Sequence, residues 1–235
     1  TPIAYIKTNI EGTYNILEAS KVNKVSSVII TSTSEVYGSA QYTPMDELHP
    51  IVSQSPYSAS KTSADNLAIS YFKSFNLPVK IIRPFNTYGP RQSQRAVIPS
   101  IINQGLCGNK INIGNIYSIR DFTYVDDLIG AFIKINNSKK LYGEVLNIGS
   151  GNKIKIKDIV DLVSHKLNKK FKINIQNNRI RPKHSEVNQL VCNNLKAKKI
   201  INWKPIITFD EGITRYIEWA KEKNFSKSFS KKYYV

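Results

Sequence analysis

Val25-Ser26-Ser27-Val28-Ile29-Ile30, running into the polar Ser32-Thr33-Ser34-Glu35, is the stretch that decides the fold. The run is short, β-branched and almost wholly apolar, as a parallel strand covered on both faces must be. Upstream, Ile10 to Ala19 carries apolar residues at helical spacing, with Val22 leading into the strand. Downstream, a turn-rich loop extends from Ser32 to about Ser55. Tyr57 to Phe75 then repeats the helical pattern through Ala59, Ala64, Leu67, Ala68, Tyr71 and Phe72. Leu77-Pro78-Val79-Lys80-Ile81-Ile82 reads as a second buried strand, stopped by Arg83-Pro84. Helix, strand, helix, strand at this spacing predicts an α/β fold with a doubly wound parallel sheet.

The rest of the chain is more mixed. Ala96 to Gln104 and Val125 to Ile135 read as helices; Lys110 to Ile113 and Glu144 to Ile148 read as strands. From Ile156 a helix, a strand (Lys172 to Ile175) and two further helices (Leu195 to Ile200, Asp210 to Lys221) suggest a smaller α+β region. The expected division is 1–95 for the C-terminal half of a dinucleotide-binding domain and 96–235 mainly for substrate binding. Within the latter, about 120–150 returns to the first sheet. Thr1-Pro2-Ile3 has no initiator Met and no signal-peptide pattern. A doubly wound sheet does not begin at its second half, so two or three βαβ units are expected upstream, at roughly 30 or more residues each.

Composition narrows the function classes. Hydrophobic residues are 41% and charged residues 22% of the 235, ordinary for a globular protein. No apolar run approaches the ~20 residues of a membrane helix, so no membrane partner is expected. Cys107 and Cys192 lie far apart and fit free thiols in a reducing cytoplasm. His49, His165 and His184 are scattered, which predicts no metal site. The net charge of +17 comes from short lysine groups such as Lys139-Lys140 and Lys198-Lys199, with no nucleic-acid-binding motif beside them. No nucleic-acid partner is expected; a positive field suits a small polyanion such as a nucleotide diphosphate.

The chemistry centres on Tyr57-Ser58-Ala59-Ser60-Lys61. Tyr and Lys four apart share one helix face. An ammonium near a phenol favours phenolate, lowering a pKa that starts near ~10. Such a tyrosine can take a proton from a sugar hydroxyl. As a bare pattern it also arises on any surface helix. Its position adds weight, because Thr33, Ser34 and Glu35 end a buried strand, where open α/β sheets bind ligands. Turn chemistry for Thr33 and Ser34 and a solvated Glu35 remain the plain alternative. Gly149-Ser150-Gly151 has no third glycine in register and reads as a turn rather than a phosphate cradle.

In order along the chain come Asn9-x-x-Gly12-Thr13, Ser32-Thr33-Ser34-Glu35-Val36-Tyr37-Gly38 and Tyr57-x-x-x-Lys61. Arg83-Pro84-Phe85-Asn86-x-Tyr88-Gly89-Pro90 and Arg120-Asp121-Phe122-x-Tyr124-Val125-x-Asp127 follow, then Asn147-Ile148-Gly149-Ser150-Gly151 and Arg181-Pro182-x-x-Ser185-Glu186-Val187. Together they resemble the extended short-chain dehydrogenase/reductase family of nucleotide-sugar epimerases and dehydratases, over nearly the whole chain. The resemblance implies a Rossmann-like sheet, NAD as cofactor, a sugar-nucleotide substrate and a homodimer formed through helices near Ile10 and Tyr57 to Phe75. The cofactor's glycine loop would precede this chain, and without it little turnover is expected.

Thr33-Ser34-Glu35 looks like the 4,6-dehydratases rather than the 4-epimerases. Arg83 to Pro99, with Gln92-Ser93-x-Arg95, is similar to dehydratases acting on nucleotide-linked N-acetylglucosamine in legionaminic-acid-type pathways. The resemblance implies Thr33, Ser34, Glu35, Tyr57 and Lys61 as catalytic residues. It implies Ser32, Tyr57, Lys61 and Asn9 at the cofactor, and Asn86, Arg95, Arg120 and Arg181 at the substrate. Many sugar dehydratases have Asp where Ser34 stands, and GDP-mannose-type dehydratases have Ser there. A 4-epimerase using the same Tyr57 and Lys61, and a non-catalytic nucleotide-binding protein, are the other readings.

Overall fold

A computed structural model of the chain describes residues 1–180 and 187–223. Its centre is a parallel sheet of β1 (Val28–Thr31), β2 (Val79–Pro84) and β7 (Val145–Ile148), in the order β1-β2-β7. Thr31 pairs with Ile82, and Ile81 to Pro84 pair with Val145 to Ile148. Side chains of β2 alternate between two apolar layers. Val79 and Ile81 join Leu17, Val28, Ile30, Ala68 and Tyr71 under α2 (Gly12–Val22) and α3 (Pro56–Phe75). Ile82 joins Leu146, Ile148, Ala131, Ile135, Ala197 and Trp203 under α5 (Val125–Asn137) and α7 (Leu195–Ile201). Helices on both faces of a parallel sheet make the doubly wound arrangement that the sequence predicts.

Lys80 is the exception on β2, buried to 1% exposure. Its ammonium donates to the carbonyls of Ile135 (2.8 Å) and Asn136 (2.7 Å) at the C-terminal end of α5, where the helix dipole favours a cation. Burial still pulls its pKa down.

Strand β2 runs on to Pro84, beyond the expected stop at Arg83-Pro84. The ladder directions explain why a proline fits. Ile81 N and Phe85 N donate towards β7, so even-numbered residues face β1. The last β1 pair is Thr31 with Ile82, so at Pro84 no β1 acceptor is left waiting for an N–H.

A second body holds the largest cluster. Its elements are β3 (Asn86–Tyr88), α4 (Val97–Cys107), β4 (Lys110–Ile113), β5 (Ile119–Arg120) and β6 (Phe122–Tyr124). β8 (Ile154–Lys155), α6 (Ile156–Lys166), β9 (Lys172–Ile175), β10 (Gln189–Leu190) and α8 (Phe209–Glu222) complete it. β3 pairs with β6, β4 with β9, and β5 lies between β10 and β8. Ile101, Ile102, Ile111, Ile159, Val163, Ile213 and Tyr216 fill its core.

The helix expected over Ile10 to Ala19 begins earlier. α1 (Pro2–Tyr5), with Pro2 in its first turn, continues through a π-helical segment, Ile6–Glu11, into α2. α3 starts on a capping box: Ser55 Oγ accepts from Ser58 N at 3.1 Å, and Ser58 Oγ accepts from Ser55 N at 3.1 Å.

Candidate functional site

Chain direction and ladder register bring the sequence motifs to one edge. β1 and β2 run parallel, so Ser32-Thr33 beyond β1 and Phe85-Asn86 beyond β2 leave the sheet at the same carboxyl end. Thr33 is extended (φ −158°, ψ 152°) and caps a 3-10 turn, Ser34–Tyr37, its Oγ1 accepting from Glu35 N at 3.2 Å. The hydroxyl of Tyr57, in the first turn of α3, lies where the Thr33 side chain and the Glu35 charge both act on it. Glu35 is half-buried rather than turned to bulk solvent. The phenol, the hydroxyl and the carboxylate therefore form one cluster, with the Tyr5 ring packed edge-on against Tyr57 at 5.5 Å.

The electrostatics differ from the expectation in one respect. Burial raises the Tyr57 pKa above its ordinary value; the nearby Thr33 side chain opposes this and the Glu35 charge adds to it. A lysine-driven lowering does not set the phenol's state here. Lys61 instead donates to the Thr31 carbonyl at 2.8 Å. Burial lowers its pKa, while the charge of Asp65 partly restores it.

Asn9, on the π-helical segment, donates to Ser60 Oγ at 2.9 Å, and Ser60 Oγ donates to the Tyr57 carbonyl at 2.7 Å. It braces the helix turn that carries the tyrosine. Ser32 spends its hydroxyl on Asp65 Oδ2 at 2.9 Å, and Ser34 is buried beside it.

The substrate-side residues form a second group. A cavity of about 290 Å³ is lined by Asn86, Arg95, Arg120 and Arg179 among others, with no carboxylate in its wall among the described residues. Asn86 Oδ1 is buried and, among the described residues, accepts no hydrogen bond. Arg120 Nη1 donates to the Ile119 carbonyl at 3.0 Å, and Arg179 Nη1 to the Asn112 carbonyl at 3.2 Å. Arg179 is a residue that motif reading missed; Arg181, the expected one, lies outside the described residues, as do Ser185 and Glu186. Three guanidinium groups on a concave surface suit phosphate oxygens.

Gly149-Ser150-Gly151 is a turn whose amides are already bound by an internal anion. Asp121, fully buried, accepts from Ser150 N and Gly151 N (both 2.8 Å) and from Cys192 N (3.1 Å). Asp127 likewise accepts from Ile206 N and Ile207 N, each at 3.0 Å, and so is structural. Among the described residues no cluster of His, Cys, Asp or Glu is arranged to hold a metal, and no helix is long and apolar enough to cross a membrane.

Residues 1–216 match the family model described as GDP-mannose 4,6 dehydratase. A UDP-glucuronate 4-epimerase of Thermodesulfobacterium geofontis is 31% identical over 94% of this chain and 67% of its own length. A dTDP-glucose 4,6-dehydratase of Streptomyces antibioticus is 31% identical over 94% of this chain and 65% of its own. The crystal structure of a dTDP-glucose 4,6-dehydratase from Bacillus anthracis with NAD superposes with a TM-score of 0.88 at 31% identity, covering 96% of this chain and 71% of that one. A Bacillus cereus UDP-glucuronic acid 4-epimerase, solved with UDP-glucuronic acid and NAD, gives 0.86 at 30% identity, covering 93% and 68%. The chain thus spans about two thirds of the length of these relatives. With the parallel sheet, the Thr33–Glu35–Tyr57 cluster and the match over most of its length, the chain belongs to the GDP-mannose 4,6 dehydratase family, among the nucleotide-sugar dehydratases and epimerases.

Proposed function

We propose that the protein is a nucleotide-sugar 4,6-dehydratase that works through NAD and yields a 4-keto-6-deoxy sugar nucleotide. The observation that carries this reading is Glu35, held beside Thr33 and Tyr57 at the carboxyl end of β1. A 4-epimerase has no proton to remove from carbon 5 and needs no such base.

The residues present fit the nicotinamide side of a dinucleotide. Lys61 points its ammonium at the sheet's carboxyl edge, spending one hydrogen on the Thr31 carbonyl, and suits ribose hydroxyls. Held by Tyr57 and Lys61, NAD would supply the hydride acceptor for carbon 4 of the sugar and, once reduced, the hydride donor for carbon 6. Tyr57 takes the proton of the 4-hydroxyl. Because burial keeps this phenol protonated, Lys61 and Thr33 are required to stabilise its ionised form while the sugar is bound. The ketone acidifies carbon 5, and Glu35 removes that proton. Ser34 is a weak acid, so Glu35, or a water relaying its proton, protonates the departing 6-hydroxyl, which leaves as water; carbon 5 regains a proton as carbon 6 is reduced, offsetting the one that Tyr57 took from the 4-hydroxyl. Asn86 holds the sugar end, and Arg95, Arg120 and Arg179, with Arg181, hold the diphosphate.

The likeness of Arg83 to Pro99 to legionaminic-acid-type dehydratases supports a nucleotide-linked N-acetylglucosamine as substrate and a role in surface-glycan synthesis. We place residues 1–95 with the dinucleotide-binding body and 96–235 mainly with the substrate, in a cytoplasmic homodimer. Ile6, Tyr14 and Ile16, about half exposed on the N-terminal helices, support pairing through that face.

The test is incubation of the full-length protein with NAD⁺ and several nucleotide-linked hexosamines, with products identified by mass and NMR. Loss of one water supports dehydration; a product of unchanged mass makes the protein an epimerase. Glu35→Gln should still oxidise carbon 4, read as reduced nicotinamide absorbance, yet release no dehydrated sugar. Full elimination by that variant removes Glu35 from the mechanism.

A further inference from the structure

Helix α3 carries Tyr57, Lys61 and Asp65 at four-residue steps, on one face. The first two face the reaction; the third is buried in an ion pair with Arg83 of β2, both side chains 4% exposed. Arg83 donates to Asp65 Oδ2 through Nε (3.1 Å) and Nη2 (2.9 Å). Its Nη1 donates to the Tyr37 hydroxyl at 3.0 Å, and that hydroxyl donates to Asn147 Oδ1 on β7 at 2.8 Å. The guanidinium lies 5.0 Å from the Tyr37 ring centroid. Ser32 Oγ completes the set by donating to the same Asp65 Oδ2.

The catalytic triplet Thr33-Ser34-Glu35 lies between two of these residues. Ser32 precedes it and is bonded to Asp65; Tyr37 follows it and is bonded to Arg83. Stability alone is a poor account of such a pair, because well-packed apolar residues commonly replace a buried ion pair without loss. Hydrogen bonds of fixed direction to both ends of one loop do what apolar packing cannot. They set where the loop lies relative to the helix.

We infer that Arg83 and Asp65 are positioning residues that fix Thr33 and Glu35 against Tyr57 and Lys61. The inference rests on the dehydratase reading for its kinetic consequence, though its structural consequence stands apart. A misplacement of ~1 Å in a reacting group can cost about a hundredfold in rate.

Two variants test it. The double variant Arg83→Met/Asp65→Leu removes both charges together, leaving neither partner stranded, and should melt near the wild type. Its kcat should fall about a hundredfold while KM for the sugar nucleotide stays within about twofold, and the amides of Glu35 to Tyr37 should exchange hydrogen faster. Tyr37→Phe is milder, keeping the ring and losing only the two hydrogen bonds of the hydroxyl; it should lower kcat about tenfold at constant KM, with the same local rise in exchange. Should the double variant not fold, Tyr37→Phe decides alone. Wild-type kcat and unaltered exchange at Glu35 to Tyr37 in Tyr37→Phe, or wild-type kcat in a folded double variant, overturns the inference. A full-length wild-type protein that turns over no nucleotide sugar defeats the dehydratase reading instead, and exchange still judges the positioning.

Discussion

Gly149→Ala is a one-methyl change whose cost follows from distances. A Cβ built at Gly149 falls 2.3 Å from Cβ of Cys192, 2.8 Å from Oδ2 of Asp121 and 2.9 Å from Sγ of Cys192. Carbon atoms rest at ~3.5–4.0 Å, so the neighbours must retreat by about 1 Å. Both are buried and tied to backbone, which leaves little room to give. Overpacking of this kind costs about 1–3 kcal/mol. Loosening one hydrogen bond to the Asp121 carboxylate adds about 1.5–3 kcal/mol, for a total of roughly 2.5–6 kcal/mol. At roughly 2–4 °C per kcal/mol for a chain this long, the melting temperature should fall by roughly 5–24 °C. Because Arg120 directly precedes Asp121, the proposed diphosphate site, probed with UDP, should bind more weakly as well. The assays are thermal melting by circular dichroism and UDP titration by calorimetry. A variant that melts with the wild type and binds UDP equally well refutes the tight-contact reasoning.

Gly130, inside α5, has nothing within 4 Å of its Cβ position; Gly130→Ala should therefore stabilise by about 0.5–1 kcal/mol in denaturant unfolding. Ser55→Ala removes the cap of α3 and should cost about 1 kcal/mol, with the first turn, and so Tyr57, exchanging hydrogen faster. Tyr57 stays protonated in the folded protein above the pH at which an unfolded tyrosine ionises, near ~10. Its contribution is therefore intact below that pH and lost as pH climbs through the raised folded value. In a phenolate absorbance titration, the wild type minus Tyr57→Phe should show one phenol ionising above ~10, and a midpoint below that contradicts the burial argument. Arg95→Ala, on the exposed rim of the cavity, should weaken UDP binding about tenfold or more, the worth of a charge-assisted hydrogen bond.

The sheet was legible because β1 is a short apolar run, β2 is one broken only by Lys80 before Arg83, and α3 keeps its period over 20 residues. Strands of two or three residues, such as β5, β6, β8 and β10, carry no periodicity of their own; partners far along the chain create them. The Thr33–Tyr57 pairing followed from a strand end and a helix start, both local signals. Asp65 was within reach of the same reasoning, being one turn beyond Lys61, but its partner Arg83 looked like a strand terminator. Nothing in the sequence separates a buried strand-end arginine from an exposed one. Nor does it tell that Lys61 turns to a carbonyl, since that depends on where Thr31 O points.

The two thiols differ sharply in access: Cys107 is exposed, whereas Cys192 is buried to 2% against Gly149, and neither is in a disulfide. Burial also drives the Cys192 thiol far above its ordinary pKa. A maleimide pulse should therefore mark Cys107 at once and Cys192 only in molecules whose Asp121 turn has sprung open. The protein thus carries its own stopwatch for that opening, with the fast cysteine as the internal standard for the slow one.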